Sequence, residues 1–438
     1  MIGIGDDMLK IVTDILWSIA IVFLLGGGLY FSIKLGFPQL KLRSLFSGFK
    51  IDDKTNVSPF KSLTMSLAAR VGVGSLAGIA LAIYIGGPGT IFWIWVTGII
   101  TSINAFCESY MGAKYQVKNG SSYQGGPSFY IEKGLHSKKL AVIYSILIII
   151  AYIVGFMTIQ ANTIATSLHE YYNFEPIVIG IILAIISFIS IMKGLDSIVN
   201  ITSKLVPLMG LGYILLSITV IILNIHKLPA TIMTIITNSF NLKSVTSGVI
   251  STFIIGIQRG VFSTEAGLGT GSIASSCSHS KNKIGLGLIQ ILGIYFTVFI
   301  VCTSTALIIL TSDYTKLTFE NMNGIELTQY ALNYHLGKVG ILVLIISLIS
   351  LAYSTIIAGY YYGESSLKYL RKNVTTFQIN LLKIGTVLLL VIGSITSPTL
   401  LWNTVDILVA ILAIINMYSL LRLRREIIID YKKRKKNS

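Results

Sequence analysis

Apolar runs of about twenty residues recur along the whole sequence, and this is the length that an α-helix needs to cross the hydrocarbon core of a bilayer. A transmembrane β-barrel would instead show short segments of alternating polarity. The sequence therefore predicts an all-α polytopic membrane protein, a single membrane domain over residues 1–438 with 11 transmembrane helices. The predicted spans are 10–33, 60–84, 88–115, 140–168, 176–193, 198–224, 244–275, 284–311, 338–369, 376–396 and 399–421.

Charge is scarce and unevenly placed. Only 12% of the residues are charged, about half the share of an ordinary soluble protein. The net charge is +16, and the basic residues concentrate in 34–61, in 114–139 and in the tail 422–438, which fall on one side if the spans alternate. This positive-inside pattern predicts that the N-terminus lies outside and the C-terminus inside the cytoplasmic membrane. Since no basic patch carries interleaved aromatic residues, the expected partner is the lipid bilayer and not nucleic acid, and nothing indicates an obligate protein partner.

The second span is interrupted near its middle. The stretch 68–78 reads AARVGVGSLAG and contains Arg70, Gly72 and Gly74. Arginine at this depth is costly, and each glycine weakens a helix by roughly 1 kcal/mol. A helix that breaks at membrane depth is tolerated only where its freed backbone faces protein, water or a ligand. We therefore predict a broken helix that lines a binding site, the alternative being close helix packing through small residues.

This break offers groups for an anion and for a cation. Backbone amides near the N-terminus of a half-helix suit a carboxylate, and the predicted substrate residues here are Gly72, Val73, Gly74 and Ser75. Freed carbonyl oxygens and side-chain hydroxyls suit a hard cation such as sodium. The predicted sodium ligands are Ala68 and Val71 at the break and Ser354 and Thr355 in the ninth span.

A second interruption lies in the seventh predicted span. Residues 256–271 contain five glycines together with an arginine, a glutamine and a glutamate. The two interrupted spans are five apart, and this odd offset gives the two halves opposite orientations. The sequence therefore predicts two inverted five-helix repeats, 60–224 and 244–421, with an extra N-terminal helix at 10–33 and a basic tail at 422–438.

Polar residues around the second interruption add to the predicted site. Carbonyls near Gly256 and Gln258 are predicted to receive a substrate ammonium group, with Phe262 as an apolar wall or gate. Gln160 in the fourth span is predicted either to bond to substrate or to make an interhelical hydrogen bond. Unpaired charges at membrane depth are costly, so pairs across helices are expected, either as gates or as static structural pairs. The four charged residues concerned are Arg70, Glu108, Arg259 and Glu265.

Other function classes lack their signatures in this sequence. There is no Walker A motif and no clustered catalytic set, so neither ATP-driven transport nor an enzyme is expected, and no organic cofactor. A channel would need a continuous polar pore, whereas the polar residues here gather around two breaks. The five histidines fall in loops or at span ends, which favours sodium over protons as the coupling ion; proton coupling is the alternative.

Six sequence motifs, which follow each other over most of the chain, carry a resemblance to a known family. They lie at 69–78, 86–89, 92–96, 124–127, 259–269 and 361–364. On these motifs the chain resembles the alanine/glycine:cation symporter family, whose members are sodium-coupled amino-acid carriers. The resemblance implies a leucine-transporter-like fold with spans two to eleven as two inverted repeats. It also implies symport, by alternating access, of sodium and a small neutral amino acid.

The sequence departs from that family's pattern near the predicted pocket. The family usually has Thr and Asn where this chain has Val73 and Ser75, and often Asn at Thr264. In the ninth span a Trp usually stands at the position of Gly359. Glycine there is expected to open volume unless Tyr360 fills it, and we therefore predict a substrate larger than, or different from, alanine or glycine.

Overall fold

The computed structural model describes residues 2–49, 57–119, 122–240, 248–316, 324–371 and 373–437. Within these ranges the chain is almost entirely helical. A two-stranded antiparallel hairpin, β1 (Val117–Asn119) and β2 (Ser122–Gln124), lies in the basic 114–139 connection.

Seventeen helices, counting helices that continue through a π-helical turn as one, follow each other in these ranges. The first is α1, which runs over Ile2–Ile21, a π-helical turn at Val22–Gly26, and Gly27–Leu35. The next are α2 (Leu42–Leu45), α3 (Pro59–Arg70), α4 (Gly74–Gly86), α5 (Thr90–Lys114), α6 (Pro127–Leu135), α7 (Lys138–Tyr172), α8 (Pro176–Met192) and α9 (Leu195–Leu223). The last are α10 (Leu228–Ser239), α11 (Gly248–Thr264), α12 (Thr270–Ser275), α13 (Lys283–Leu310), α14 (Ile325–Leu370), α15 (Thr376–Ile395), α16 (Pro398–Arg422) and α17 (Arg424–Asn437).

Eight helices in the described ranges are long and apolar enough to cross a membrane, or nine if the bent pair α3–α4 is one span. The other two predicted spans, 176–193 and 244–275, fall on shorter helices. The first of these is α8, with 17 residues. The second is divided between α11 and α12, and its residues 244–247 lie outside the described part of the chain. The chain is thus a multi-pass helical membrane protein.

Local sequence signals explain where the main helices begin and end. Ser58 caps α3 by accepting a hydrogen bond from the Lys61 amide, and Pro59 takes the first helical position, which needs no amide donor. Gly36 ends α1 in the left-handed conformation, with φ of 73°. The longest helix, α14, is kinked at Gly337, where φ is 59° and ψ is −146°. Its part before the kink, starting at Ile325, is buried on one face.

The two interrupted segments lie at the centre of the helix packing. α5 packs against α11 and α13, α7 packs against α14 and α15, and α14 also contacts α3. The turn that opens α4 touches α11, so the two interrupted segments meet. α8, α9 and α15 carry large exposed apolar side chains, including Ile185, Leu208 and Leu388, as helices facing lipid do. The interior therefore holds both breaks away from the lipid.

Candidate functional site

The first break is sharp and completely buried. α3 ends at Arg70, and Val71 leaves the helical conformation with φ of −88° and ψ of 77°. The chain resumes at Gly74 with a π-helical turn, and the two half-helices are bent by 54°. A Cβ at Gly72 would collide with Thr355 Oγ1 and lie 3.0 Å from Gln160 Oε1. Glycine at this position therefore lets side chains of α14 and α7 approach the freed backbone.

Gln160 uses that access to bind the backbone of the break. Its Oε1 accepts a hydrogen bond of 3.0 Å from the Val73 amide. In this conformation the glutamine therefore makes the interhelical hydrogen bond that was one of its two predicted roles. It also occupies an amide that a substrate carboxylate would need. Ser75, two residues on, is fully buried, and its Oγ has no hydrogen-bond partner in the described structure.

Three of the four predicted sodium ligands lie together. The Ala68 carbonyl accepts hydrogen bonds from Thr355 Oγ1 at 2.8 Å and from Ser354 Oγ at 3.4 Å. Both hydroxyls also approach the Leu351 carbonyl, at 2.8 Å for Ser354 and 3.1 Å for Thr355. Val71, the fourth, lies three residues after Ala68 where the helix ends. All these oxygens are hard donors, and the described residues form no group of three or more His, Cys, Asp or Glu side chains that could hold a metal ion.

The second break lies in the later part of the predicted stretch 256–271. α11 is continuous through Thr264, so the backbone around Gly256 and Gln258, whose carbonyls were predicted to receive a substrate ammonium group, is helical. Gly256 has a different use, since a Cβ there would lie 2.6 Å from Trp93 Cβ and 2.8 Å from the Thr90 carbonyl oxygen. It permits close packing of α11 on α5.

Residues 265–269 form the interruption itself. Glu265, Gly267 and Gly269 all have positive φ, at 53°, 90° and 92°. The last two positions favour glycine because side chains rarely adopt this conformation. α12 then begins at Thr270, whose Oγ1 donates a 2.8 Å hydrogen bond to Glu265 Oε2.

A buried carboxyl group of α5 binds the second break. Glu108 Oε2 accepts hydrogen bonds from the Gly267 amide at 3.1 Å and the Gly269 amide at 2.9 Å. Asn416 Nδ2 adds a third bond to this oxygen at 3.2 Å and donates to the Gly267 carbonyl at 2.8 Å. The Tyr144 hydroxyl donates to the Leu268 carbonyl. Neither Asn416 nor Tyr144 was predicted; for Asn416 the available signal was an asparagine within an apolar span.

Arg70 lies beside this cluster. Its Nη1 donates to Gln290 Oε1 at 3.1 Å, and among the ion pairs of the described residues none includes it. A Cβ at Gly271 would collide with Arg70 Nη2 and lie 3.0 Å from Glu108 Oε1, so Arg70 and Glu108 flank this glycine. The structure therefore gathers Arg70, Glu108 and Glu265 around the second break, while Arg259 lies elsewhere.

Arg259 forms a buried ion pair with Asp406 of α16. The guanidinium lies 4.8 Å from the Trp402 ring centroid and 6.0 Å from that of Phe262, both cation–π distances. Gln258, Arg259 and Asp406 line a cleft of about 340 Å³ that also reaches α1. Asp406 was not predicted, although it is the one acidic residue of the apolar span 399–421.

Phe262 connects this ion pair to the first break. A Cβ at Gly74 would lie 2.7 Å from its ring, so Gly74 permits the aromatic contact. The ring stacks on Phe156 at 5.1 Å and packs at a tilt on Trp402 at 5.0 Å. The next residue, Ser263, donates a 3.0 Å hydrogen bond to the Gly74 carbonyl. Phe262, predicted as an apolar wall or gate, therefore packs where the two broken helices meet.

Gly359 does not face open volume. A Cβ at this position would lie 3.1 Å from the Tyr152 ring. Tyr152 stacks on Phe156 at 4.6 Å and meets Tyr362 edge-on at 5.0 Å. The expectation that Gly359 opens space unless Tyr360 fills it therefore needs correction, because a side chain of α7 supplies the bulk.

Known proteins are similar to this chain over most of its length. Residues 3–438 match the Sodium:alanine symporter family. Amino-acid carrier protein AlsT of Bacillus subtilis (strain 168) is 36% identical over 94% of this chain and 88% of that protein. Sodium/alanine symporter AgcS of Methanococcus maripaludis is 32% identical over 97% and 96%. Probable sodium/glutamine symporter GlnT of B. subtilis is 32% identical over 98% and 91%.

Solved structures share the fold at low identity. A Na⁺-coupled sialic acid symporter matches with a TM-score of 0.51 and 13% identity, over 91% of this chain and 82% of that chain. A manganese transporter of Eremococcus coleocola has the same TM-score at 12% identity, over 85% and 79%. These likenesses concern the fold alone.

Arg259 and Asp406 line the cleft, and Phe262 packs on Trp402 beside them. Their ion pair is expected to keep this aromatic contact closed toward the cleft. Gly78→Cys provides a reporter, because a Cβ there lies 3.4 Å from Trp402, an ordinary contact, and the native cysteines are buried. Adding Asp406→Asn should raise the rate at which a membrane-impermeant maleimide labels Gly78→Cys by about tenfold or more, because an unpaired buried arginine leaves its site.

The matched control is Asp313→Asn, which removes an exposed carboxylate paired with Lys316. It should leave the labelling rate unchanged. Equal labelling rates with and without Asp406→Asn would show that the pair is a static structural contact.

Proposed function

Because the chain belongs to the sodium:alanine symporter family, we propose that it imports a small neutral amino acid together with sodium across the cytoplasmic membrane by alternating access. The observation that carries the proposal is the meeting of the Ala68 carbonyl with the Ser354 and Thr355 hydroxyls beside a helix break. Relatives named as an amino-acid carrier and as a sodium/alanine symporter support it.

The proposed architecture is a leucine-transporter-like 5+5 inverted repeat with 11 spans. Its units are 60–224 and 244–421, and 10–33 is the extra helix. Support comes from the two interrupted segments, which lie five predicted spans apart and touch each other. Such repeats place the substrate between broken helices near the middle of the membrane.

We place the substrate carboxylate at Gly72, Val73, Gly74 and Ser75. Binding requires Gln160 Oε1 to leave the Val73 amide, which then donates to the carboxylate. The amide end of Gln160 is then free to donate as well. The Ser75 hydroxyl is already without a partner and is buried at the same break. The substrate amine belongs near Phe262, toward the carboxyl end of α11, where the helix dipole favours a cation.

Sodium fits the oxygens of Ala68, Val71, Ser354 and Thr355. The two hydroxyls now donate to Ala68, but each also lies within hydrogen-bond distance of the Leu351 carbonyl. They can therefore turn their hydrogens toward Leu351 and present lone pairs to the ion. None of these four residues titrates, which supports sodium over the alternative, proton coupling.

The proposed coupling is local. Ala68 and Val73 lie on the two sides of one break, and Thr355 contacts both Ala68 and Gly72. Sodium that fixes the end of α3 also fixes the amides that receive the carboxylate. Each ligand should therefore raise the affinity for the other by the same factor.

Uptake into proteoliposomes tests the function. Labelled alanine should accumulate when an inward sodium gradient is imposed, and a sodium ionophore should abolish the accumulation. Uptake that ignores sodium and follows an imposed pH gradient would establish the proton-coupled alternative.

Removing one sodium ligand should weaken sodium binding. Thr355→Val keeps the volume and loses the hydroxyl, so the sodium concentration for half-maximal uptake should rise by about tenfold, which corresponds to roughly 1.4 kcal/mol. Thr355→Ser should stay near the native value. Thr219→Val is the control, because this exposed hydroxyl bonds only to its own helix at Leu215. A similar sodium dependence in Thr355→Val and Thr219→Val would contradict the assignment.

The contact between Tyr152 and Gly359 should limit substrate size. Tyr152→Ala removes the ring that covers Gly359, so larger neutral amino acids such as leucine and glutamine should then compete with labelled alanine uptake. Adding Gly359→Trp to that variant should restore the preference for small substrates, whereas Gly359→Trp alone overpacks the site and should lower the yield of folded protein. Tyr360→Ala is the control; competition that changes with Tyr360 and not with Tyr152 would refute this account.

A further inference from the structure

A cleft with concentrated positive charge lies at the predicted cytoplasmic face, away from both breaks. It has a volume of about 270 Å³ and lies between α17, the start of α13 and residues 38–49, which we call the α2 segment. Its polar and charged lining includes Lys41, Ser44, Ser47, Arg434 and Lys435, and Leu288 contributes an apolar wall.

The wall formed by the α2 segment is fixed in place. Leu45 is fully buried, and Gly48 approaches Gly285 of α13 so closely that a Cβ would lie 2.6 Å from the Gly285 carbonyl carbon. Asn282 Nδ2 donates to the Ser47 carbonyl at 3.1 Å. Arg434 Nη2 donates to Ser47 Oγ at 3.0 Å and so ties α17 to this wall. The cleft is therefore built by packed elements of three parts of the chain.

No acidic side chain in the described lining neutralises these cations. The acids of α17 point elsewhere, since Glu426 and Asp430 both pair with Lys114 at the end of α5. Burial opposes the effect, but hydrogen bonds from Lys114 and Tyr110 hold the pKa of Asp430 below its usual range. α17 thus directs Glu426 and Asp430 to the protein, while Arg434 and Lys435 line the cleft, which leaves a site for an anion.

Apolar side chains beside the cleft indicate the kind of anion. Leu40, Leu42 and Phe46 are 62%, 59% and 57% exposed and alternate with Lys41 and Ser44 in the same short segment. Leu288 lies five residues inside an apolar membrane helix. Cations next to exposed apolar residues are the pattern of a membrane interface, where a headgroup and acyl chains are held together.

We propose that this cleft binds the phosphate headgroup of an anionic phospholipid of the cytoplasmic leaflet. Lys41, Arg434 and Lys435 surround the phosphate, and the acyl chains lie along Leu42 and Phe46. The lipid bridges α17 to the α2 segment and so stabilises the docking of the C-terminal helix on α1 and α5. This site is independent of the transported substrate.

The test uses the full-length protein in a neutral detergent with added short-chain lipid. Dioctanoyl phosphatidylglycerol should remain bound in native mass spectrometry and raise the unfolding temperature, whereas dioctanoyl phosphatidylcholine should do neither. Arg434→Gln with Lys435→Gln should lower the phosphatidylglycerol affinity by about ten- to thirtyfold. Lys432→Gln with Lys433→Gln, exposed residues of the same helix outside the cleft, removes equal charge and should leave the affinity unchanged.

Equal loss in both double variants would overturn the site in favour of general attraction to a basic tail. Inorganic phosphate that stabilises the protein as much as the lipid would overturn the assignment to a membrane lipid. Because Arg434 also bonds to Ser47, Lys41→Gln is a separate variant on the opposite wall. It should lower the lipid affinity without changing the unfolding temperature of the lipid-free protein, and unchanged affinity there would also refute the proposal.

Discussion

Glu108 carries the interaction on which the centre of this structure depends. A helix that breaks at membrane depth frees amides and carbonyls that no water can satisfy. At the second break one carboxyl oxygen receives two backbone amides and the Asn416 amide group. Without those bonds, Gly267 and Gly269 would leave donors unpaired in the interior, at a cost of about 1–3 kcal/mol each. A broken helix here is possible because another helix supplies its missing partners.

The first break is satisfied in a different way. Its partners are neutral groups, among them the amide of Gln160 and the hydroxyls of Thr355 and Ser263, and each of these three makes one bond to the backbone of the break that another ligand can replace. The second break is held by several bonds and by positive φ angles that only a few residues adopt. This asymmetry supports the proposal that the ligands bind at the first break.

The sequence predicts the helices and their breaks better than it predicts which residues of different helices contact each other. Arg70, Gly72 and Gly74 mark the first break because their cost in an apolar span is local and can be read from the residues alone. Around the second break, glycines serve two purposes. Gly256 permits close helix packing, whereas Gly267 and Gly269 permit a turn, and the sequence pattern does not separate these uses.

Contacts between distant helices explain the remaining differences. Arg259 and Asp406 are 147 residues apart, and their pairing depends on how α11 and α16 cross. The volume at Gly359 likewise depends on Tyr152, a residue of another helix. A glycine in place of a large residue indicates space only if its neighbours are unchanged, and here a neighbour supplies the missing bulk. The site is therefore closely packed around Phe156 and Phe262, whose rings stack on each other. Phe262 also packs on Trp402, which lies against Arg259, so the size of the proposed substrate pocket is connected to the ion pair between Arg259 and Asp406. A substrate that moves Phe262 must also change the packing beneath that pair, so binding at the first break and opening of the cleft are expected to be physically linked.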